Sequence, residues 1–283
     1  MRVREVRLPD GWTPYAVAAG PDGMIWTTVL DPPALAGLRD GVVVRRHPLP
    51  DEVRPMLLTA APDGTIWYTR TDDRVGRIGP DGDETLFALP AGAAPYGMAL
   101  APDGAAWFSA PGAERIGFVT AGGGIRLVEL PVPDARAAMV TVSADGVVWV
   151  ALNGAAALAG FDGTGFRIVE LGAGAAPVGI AAGGDGIWFA DIAGGAVGLV
   201  RPDGTPIRVP FDDPGSRPHA VAPDPAGGCW ATLWGAGELA RVTADGEVIR
   251  HPLPGKEPHG LALTDATVWV AMESGSLVAL DRD

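Results

Sequence analysis

PHGLALTDATVW, residues 258–269, reads as a β-hairpin, and its recurrence along the chain decides the fold. The same phrase returns as PYAVAAGPDGMIW at 14–26, PYGMALAPDGAAW at 95–107 and PHAVAPDPAGGCW at 218–230. Each has a proline, a short apolar strand, a turn and a second strand that carries a tryptophan. In the Pro-Asp-Gly turns, proline presets φ and glycine tolerates φ > 0, so the chain reverses there. The phrase is anchored by Trp26, Trp67, Trp107, Trp149, Trp188, Trp230 and Trp269, at intervals of 41, 40, 42, 39, 42 and 39 residues. After each tryptophan strand come two more β-rich pieces, such as RVGRIGP and ETLFALP at 74–80 and 84–90. Four short strands per repeat and seven repeats predict an all-β, seven-bladed β-propeller of four-stranded blades, one domain over residues 1–283. A six-bladed ring would have to discard a good repeat.

A blade cannot bury both its faces alone, so the seven tryptophans are expected to pack blade against blade. After Trp269 only AMESGSLVALDRD and the preceding valine remain, too little for two full strands, while VREVRLP at 3–9 resembles the outermost-strand pieces. The N-terminal strand is therefore expected to complete the last blade, which also removes an exposed sheet edge. Blade 4 matches least well, because RAAMVTVSADGVVW at 136–149 lacks the leading proline.

Composition narrows the function classes. With 21 Lys and Arg against 34 Asp and Glu, the net charge of -13 opposes binding to a nucleic-acid backbone or an anionic membrane and favours a neutral or cationic ligand. The single cysteine, Cys229, lies in an apolar strand and reads as core packing, with no disulfide framework. Residues 1–11 carry arginines but no apolar signal core, and no stretch has the roughly 18 apolar residues of a membrane span, so the expectation is a cytoplasmic protein. A closed ring has no edge to hide, which fits a monomer.

In a propeller the first strand of each blade lines the central channel, and the residue after the repeat's proline points to one mouth. Through the seven blades that position reads Tyr15, Met56, Tyr96, Ala138, Val178, His219 and His259. Two of the four histidines thus share one structural position. His47 and His251 share another, in RHPLP on the outermost strand, and read as exposed structural residues. Blade 7 adds Glu257, two residues before His259, and Glu273, just after the tryptophan strand. A turn near Asp265 and Ala266 folds residue 259 opposite residue 273, bringing Glu257, His259 and Glu273 to one end of one hairpin. The positions equivalent to Glu273 are Leu30, Thr71, Pro111, Asn153, Ile192 and Trp234, and none carries a second acid. Ring closure sets this group between His219 of blade 6 and Tyr15 of blade 1. Two carboxylates with nearby imidazoles suit Mg²⁺ or Mn²⁺ better than Zn²⁺; the alternative is a hydrogen-bonded polar rim without metal.

At these residues the chain resembles the virginiamycin B lyase (streptogramin B lyase) family of seven-bladed propellers, over essentially its whole length. The specific part is Tyr15 in TPYAVA, His219 in RPHAVA, Glu257 and His259 in EPHGLA, and Glu273 in VAMES. The resemblance implies that Glu257 and Glu273 bind Mg²⁺, that His259 transfers the proton and that His219 contacts substrate, with Tyr15 assisting. It implies linearisation of a cyclic depsipeptide antibiotic by elimination: a base removes the threonine Cα proton, the Cβ–O bond breaks, and a dehydrobutyrine unit and a free carboxylate result. Glutamates beside His259 are expected to raise its pKa, and a cation to reverse that effect. Trp234 is a candidate for stacking on an aromatic-rich substrate, whereas Tyr96 reads as inter-blade packing. Two rival readings are a non-catalytic propeller that binds a protein or peptide, and a metal-dependent lactonase or esterase that attacks with metal-bound water. The hydrolase expects metal ligands spread over several blades, whereas here both acids sit in one.

Overall fold

The computed structural model describes residues 2–282; Met1 and Asp283, the ends of the expected domain, lie outside the described residues. Its strands form seven four-stranded antiparallel sheets, each following the repeat read from the sequence. Blade 1, for example, runs through Pro14–Ala19, Ile25–Val29, Ala34–Arg39 and Val42–Pro48. Glycine closes the inner hairpins as the turn chemistry requires, with φ of 78°, 85° and 83° at Gly23, Gly64 and Gly104. Blade 4 is complete despite its missing proline, its first strand running from Ala137 to Val142.

The tryptophans do what their spacing predicts. All seven repeat tryptophans are buried. Trp107 shares a buried cluster with Val148 and Val150 of blade 4, and Trp149 with Ile180 and Phe189 of blade 5. Trp188 clusters with Val221 and Cys229 of blade 6, and Trp230 with Val268 and Val270 of blade 7. Trp269 then clusters with Val17 and Ile25 of blade 1, so the same contact that joins successive blades also closes the ring. Cys229 is fully buried, and burial pushes its thiol pKa far up, which keeps it a packing residue.

The N-terminal strand Val3–Arg7 pairs with Ser276–Asp281 in the register Val3↔Leu280 to Arg7↔Ser276, completing blade 7 as expected. A polar lock reinforces the seam with blade 6. Asp224, buried, accepts from Trp230 Nε1 at 3.0 Å, Arg241 Nε at 2.9 Å and Arg282 at 3.0 Å. One carboxylate thus ties the blade 6 tryptophan to the end of the chain. His47 and His251 are half-buried rather than exposed. His47 meets Glu84 of blade 2 at 3.4 Å, and His251 lies against Trp230 with ring centroids 5.8 Å apart, so both are structural residues within the wall. No helix of the described residues is long and apolar enough to cross a membrane.

Replacing Asp224 with alanine leaves two arginines and an indole N–H without their shared acceptor in a site with little water. The expected cost is about 3 to 5 kcal/mol, read as a fall in the urea midpoint with an unchanged m-value; a loss below about 1 kcal/mol would show that the lock is not used.

Candidate active site

Three of the channel residues, Met56, Tyr96 and His259, are fixed by the same device. Thr232, two residues after Trp230 and fully buried, accepts the Ala220 N–H at 2.9 Å and donates to the His259 carbonyl at 2.8 Å. Thr28 does the same between Ala16 and Met56, and Thr69 between Leu57 and Tyr96. A hydroxyl on the second strand of one blade therefore sets the height of the channel residue in the next. The sequence signal was a Thr or Ser two places after tryptophan, at Thr28, Thr69, Ser109 and Thr232. Glycine does the corresponding job at the seam: a Cβ on Gly260 would lie 2.7 Å from Ala16 Cα and 3.1 Å from the Tyr15 carbonyl, so blades 7 and 1 touch through backbone.

The hairpin of blade 7 departs from the register expected, by one residue next to the turn and by two at the channel end. Pro258 pairs with Met272 and Leu261 with Val270, with a bulge between them, so Glu257 rather than His259 stands opposite Glu273. The Glu273 N–H accordingly donates to the Glu257 carbonyl at 3.2 Å. Identical bridges join Leu30 to Thr13, Thr71 to Arg54, Asn153 to Arg136, Ile192 to Ala176 and Trp234 to Arg217. The bulge absorbs the extra residue and aims His259 inward. Its Nε2 still reaches Glu273 Oε1 at 2.9 Å, so the two acids and the imidazole meet as the sequence implied. Glu257 is held at φ 57°, in the left-handed region, next to Pro258, as are Ala94, Arg136 and Arg217 at the equivalent positions of blades 3, 4 and 6, so the conformation belongs to the repeat.

Around this hairpin the predicted residues converge. The His219 and His259 rings are 4.5 Å apart edge to face, and Tyr15 lies 4.5 Å from His259 and 6.3 Å from His219. Trp234 stands 6.2 Å from His259, half-buried, with the Arg217 guanidinium 5.5 Å from its ring. Tyr96 packs between blades as expected, against clusters of blades 1–3 and of blades 4–5, and its hydroxyl is also 2.8 Å from that of Tyr15. Grooves of about 690 and 650 Å³ flank the Glu257 loop, one along Trp234 and Lys256 towards blade 6, the other along Trp12 and Glu273 towards blade 1.

The electrostatics of the three central groups are coupled. Burial pushes His259 down to about 4 and His219 down to about 3, the second also through its repulsion with His259. The expected rise at His259 does not occur, because desolvation of the imidazolium outweighs the carboxylates. Their mutual repulsion appears at Glu273 instead, raised to about 7 by burial and by its contact with Glu257. Near neutrality His259 is therefore without its proton while Glu273 still holds one. Nδ1 of both histidines and Nε1 of Trp234 are buried without a hydrogen-bond partner, an uncommon cost outside a ligand site.

Comparison with known proteins identifies the family of the whole chain. The profile of the virginiamycin B lyase family covers residues 1–280. The chain belongs to the virginiamycin B lyase family. A virginiamycin B lyase of Nocardia farcinica (strain IFM 10152) is 38% identical over 284 residues, covering 98% of each chain. The crystal structure of the Staphylococcus aureus virginiamycin B lyase superposes with a TM-score of 0.95 at 29% identity, over 100% of this chain and 99% of that one. A catalytically inactive histidine-to-alanine variant of the same enzyme, solved with quinupristin, gives a TM-score of 0.95 at 28% identity, with the same coverage. Within this virginiamycin B lyase family fold, the site lies at the seam where the ring closes.

Thr232→Val keeps the side-chain shape but strands the Ala220 N–H and the His259 carbonyl. The expected cost is about 2 to 4 kcal/mol by thermal or urea unfolding, and the same variant should move the His259 ring resonances in NMR spectra. Unchanged stability and resonances would remove Thr232 from the positioning of His259.

Proposed function

We propose that this chain is a Mg²⁺-dependent carbon–oxygen lyase that linearises streptogramin B antibiotics by eliminative cleavage of the threonine Cβ–O ester bond, with His259 as the base. The reading is carried by one observation: the contact of His259 Nε2 with Glu273 Oε1, beside Glu257, in a chain of this family. A solved relative is catalytically inactive with one histidine replaced by alanine, and that structure contains quinupristin. We take the working unit to be a cytoplasmic monomer.

The carboxylate pair fits a hard divalent cation. Two carboxyls pressed together retain a proton that a cation would displace, and oxygen donors with room for further ligands suit Mg²⁺. Glu257 and Glu273, both from blade 7, are the ligands in this reading; among the described residues no group of three or more His, Cys, Asp or Glu side chains is placed to hold a metal ion. Two acids from one blade favour this reading over the lactonase, which expects ligands spread over several blades. When bound, Mg²⁺ supplies Lewis-acid polarisation of a substrate carbonyl, which acidifies the neighbouring Cα–H.

The remaining work falls to side chains. His259 is neutral at pH 7, as a base must be, and its Nε2 is the nitrogen turned towards the rim carboxylate, whereas Nδ1 is enclosed. Nε2 takes the threonine Cα proton; that C–H electron pair becomes the Cα=Cβ bond, and the Cβ–O pair leaves on the carboxylate. His219, uncharged and 4.5 Å from His259, orients the ester, and Tyr15 offers its hydroxyl to the departing oxygen. Trp234 presents a half-buried ring beside the base for the substrate's aromatic groups.

Two measurements test this reading. Incubated with a streptogramin B antibiotic and Mg²⁺, the protein should yield a linear product of unchanged mass, and EDTA or His259→Ala should abolish turnover in a folded protein. An intact ring would refute the substrate, and a gain of one water would establish a hydrolase. Since Glu273 holds its proton up to about pH 7, the cation must displace it at lower pH. The Mg²⁺ concentration for half-saturation, by calorimetry, should therefore be about tenfold higher at pH 6 than at pH 8; equal values would show that no proton leaves.

A further inference from the structure

The channel position is polar at four of seven blades, and these four are linked. His219 touches His259, His259 touches Tyr15, and the Tyr15 hydroxyl meets that of Tyr96 at 2.8 Å, passing over blade 2, whose residue there is Met56. The remaining positions, Ala138 and Val178, are apolar. The Tyr96 hydroxyl has Tyr15 as its side-chain partner. Its backbone is fixed independently, by Thr69 Oγ1 donating to its carbonyl at 2.7 Å and by its own N–H donating to the Ser109 carbonyl at 3.0 Å. Tyr96 is thus a rigid post of blade 3 that reaches across the channel to a residue packed on the base.

Two phenol hydroxyls in contact have two arrangements. Either Tyr15 spends its proton on Tyr96, or Tyr96 spends its proton on Tyr15 and leaves the Tyr15 proton free. Only the second gives substrate a donor at Tyr15. Burial raises both phenols far from ionisation, so each is a hydrogen-bond donor at working pH and neither is an anion. A carboxylate is the leaving group of the proposed elimination, and it needs a donor, not a full proton.

We propose that Tyr96 is a positioning residue for this reaction: its hydroxyl donates to the Tyr15 oxygen, holds that ring against His259, and leaves the Tyr15 O–H directed to the departing carboxylate. This rests on the elimination reading above. No proton changes hands at the tyrosines. As the Cβ–O bond breaks, its electron pair stays on the carboxylate oxygen, which accepts the Tyr15 hydrogen bond while His259 retains the Cα proton. Tyr96 has no reach to substrate in this role and acts through Tyr15 alone.

Coupling between the two positions tests it. Steady-state linearisation of a streptogramin B antibiotic with Mg²⁺ should show Tyr96→Phe lowering kcat about tenfold with KM within a factor of two. Tyr15→Phe should lower kcat at least as far, and Tyr15→Phe/Tyr96→Phe should be no slower than Tyr15→Phe. Multiplying losses in the double variant, or full kcat in Tyr96→Phe, would overturn the proposal. The chain has three tyrosines, so ¹³Cζ-tyrosine labelling gives three assignable resonances. Tyr96→Phe should remove its own and shift that of Tyr15 while leaving Tyr68 in place; an unmoved Tyr15 signal would deny the hydrogen bond without reference to turnover. A wild-type protein that leaves the antibiotic intact in the same assay would instead be a failure of the elimination reading, and this role would fall with it.

Discussion

The pairing of Val3–Arg7 with Ser276–Asp281 is the constraint on which everything else depends. Among the described residues it joins the two ends of the chain in one sheet, with blade 1 beside blade 7. Tyr15 of blade 1 thereby lies against His259 of blade 7. Backbone contact at Gly260 and the cluster of Trp269 with blade 1 carry the same closure inward, from the outer strand to the channel. Fold stability and site assembly are therefore one problem in this molecule: a loosened seam separates the base from its neighbours before any catalytic side chain is altered.

At the seam the protein gathers groups that oppose one another. Two carboxylates are held together although they repel, and an imidazole is buried although that costs its charged form. Each is unfavourable alone, and the surrounding β-structure holds them in place. The common outcome is an imidazole without a proton beside a carboxyl that still holds one. Under the proposed function, a cation would displace that proton and let both acids ionise.

Much of this was legible in the sequence because a repeat supplies its own alignment. The tryptophan spacing fixed the number of blades, and reading one position through all seven exposed His219 and His259 as departures from an apolar theme. Glu257 and Glu273 stood out for the same reason. What escaped was information that lies between blades or in a local irregularity. The bulge between Pro258 and Leu261 shifts the register by one residue, and no count from the turn reveals it. The direction of the His259 shift depends on how completely the channel excludes water, which composition does not report. Tyr96 and Tyr15 are 81 residues apart and two blades distant, so their hydroxyl contact follows only from the curvature of the closed ring. Thr232 carried a signal, a hydroxyl two places after tryptophan, whose meaning needed the neighbouring blade's carbonyl.

The central claim is that His259 removes a proton from carbon as the ester opens without water. It is tested most directly by letting the protein compete a streptogramin B antibiotic bearing protium at the threonine Cα against the same compound bearing deuterium there, and following the isotope ratio of the unreacted antibiotic. The account predicts progressive enrichment of deuterium as conversion proceeds. A ratio that stays constant to high conversion would contradict it.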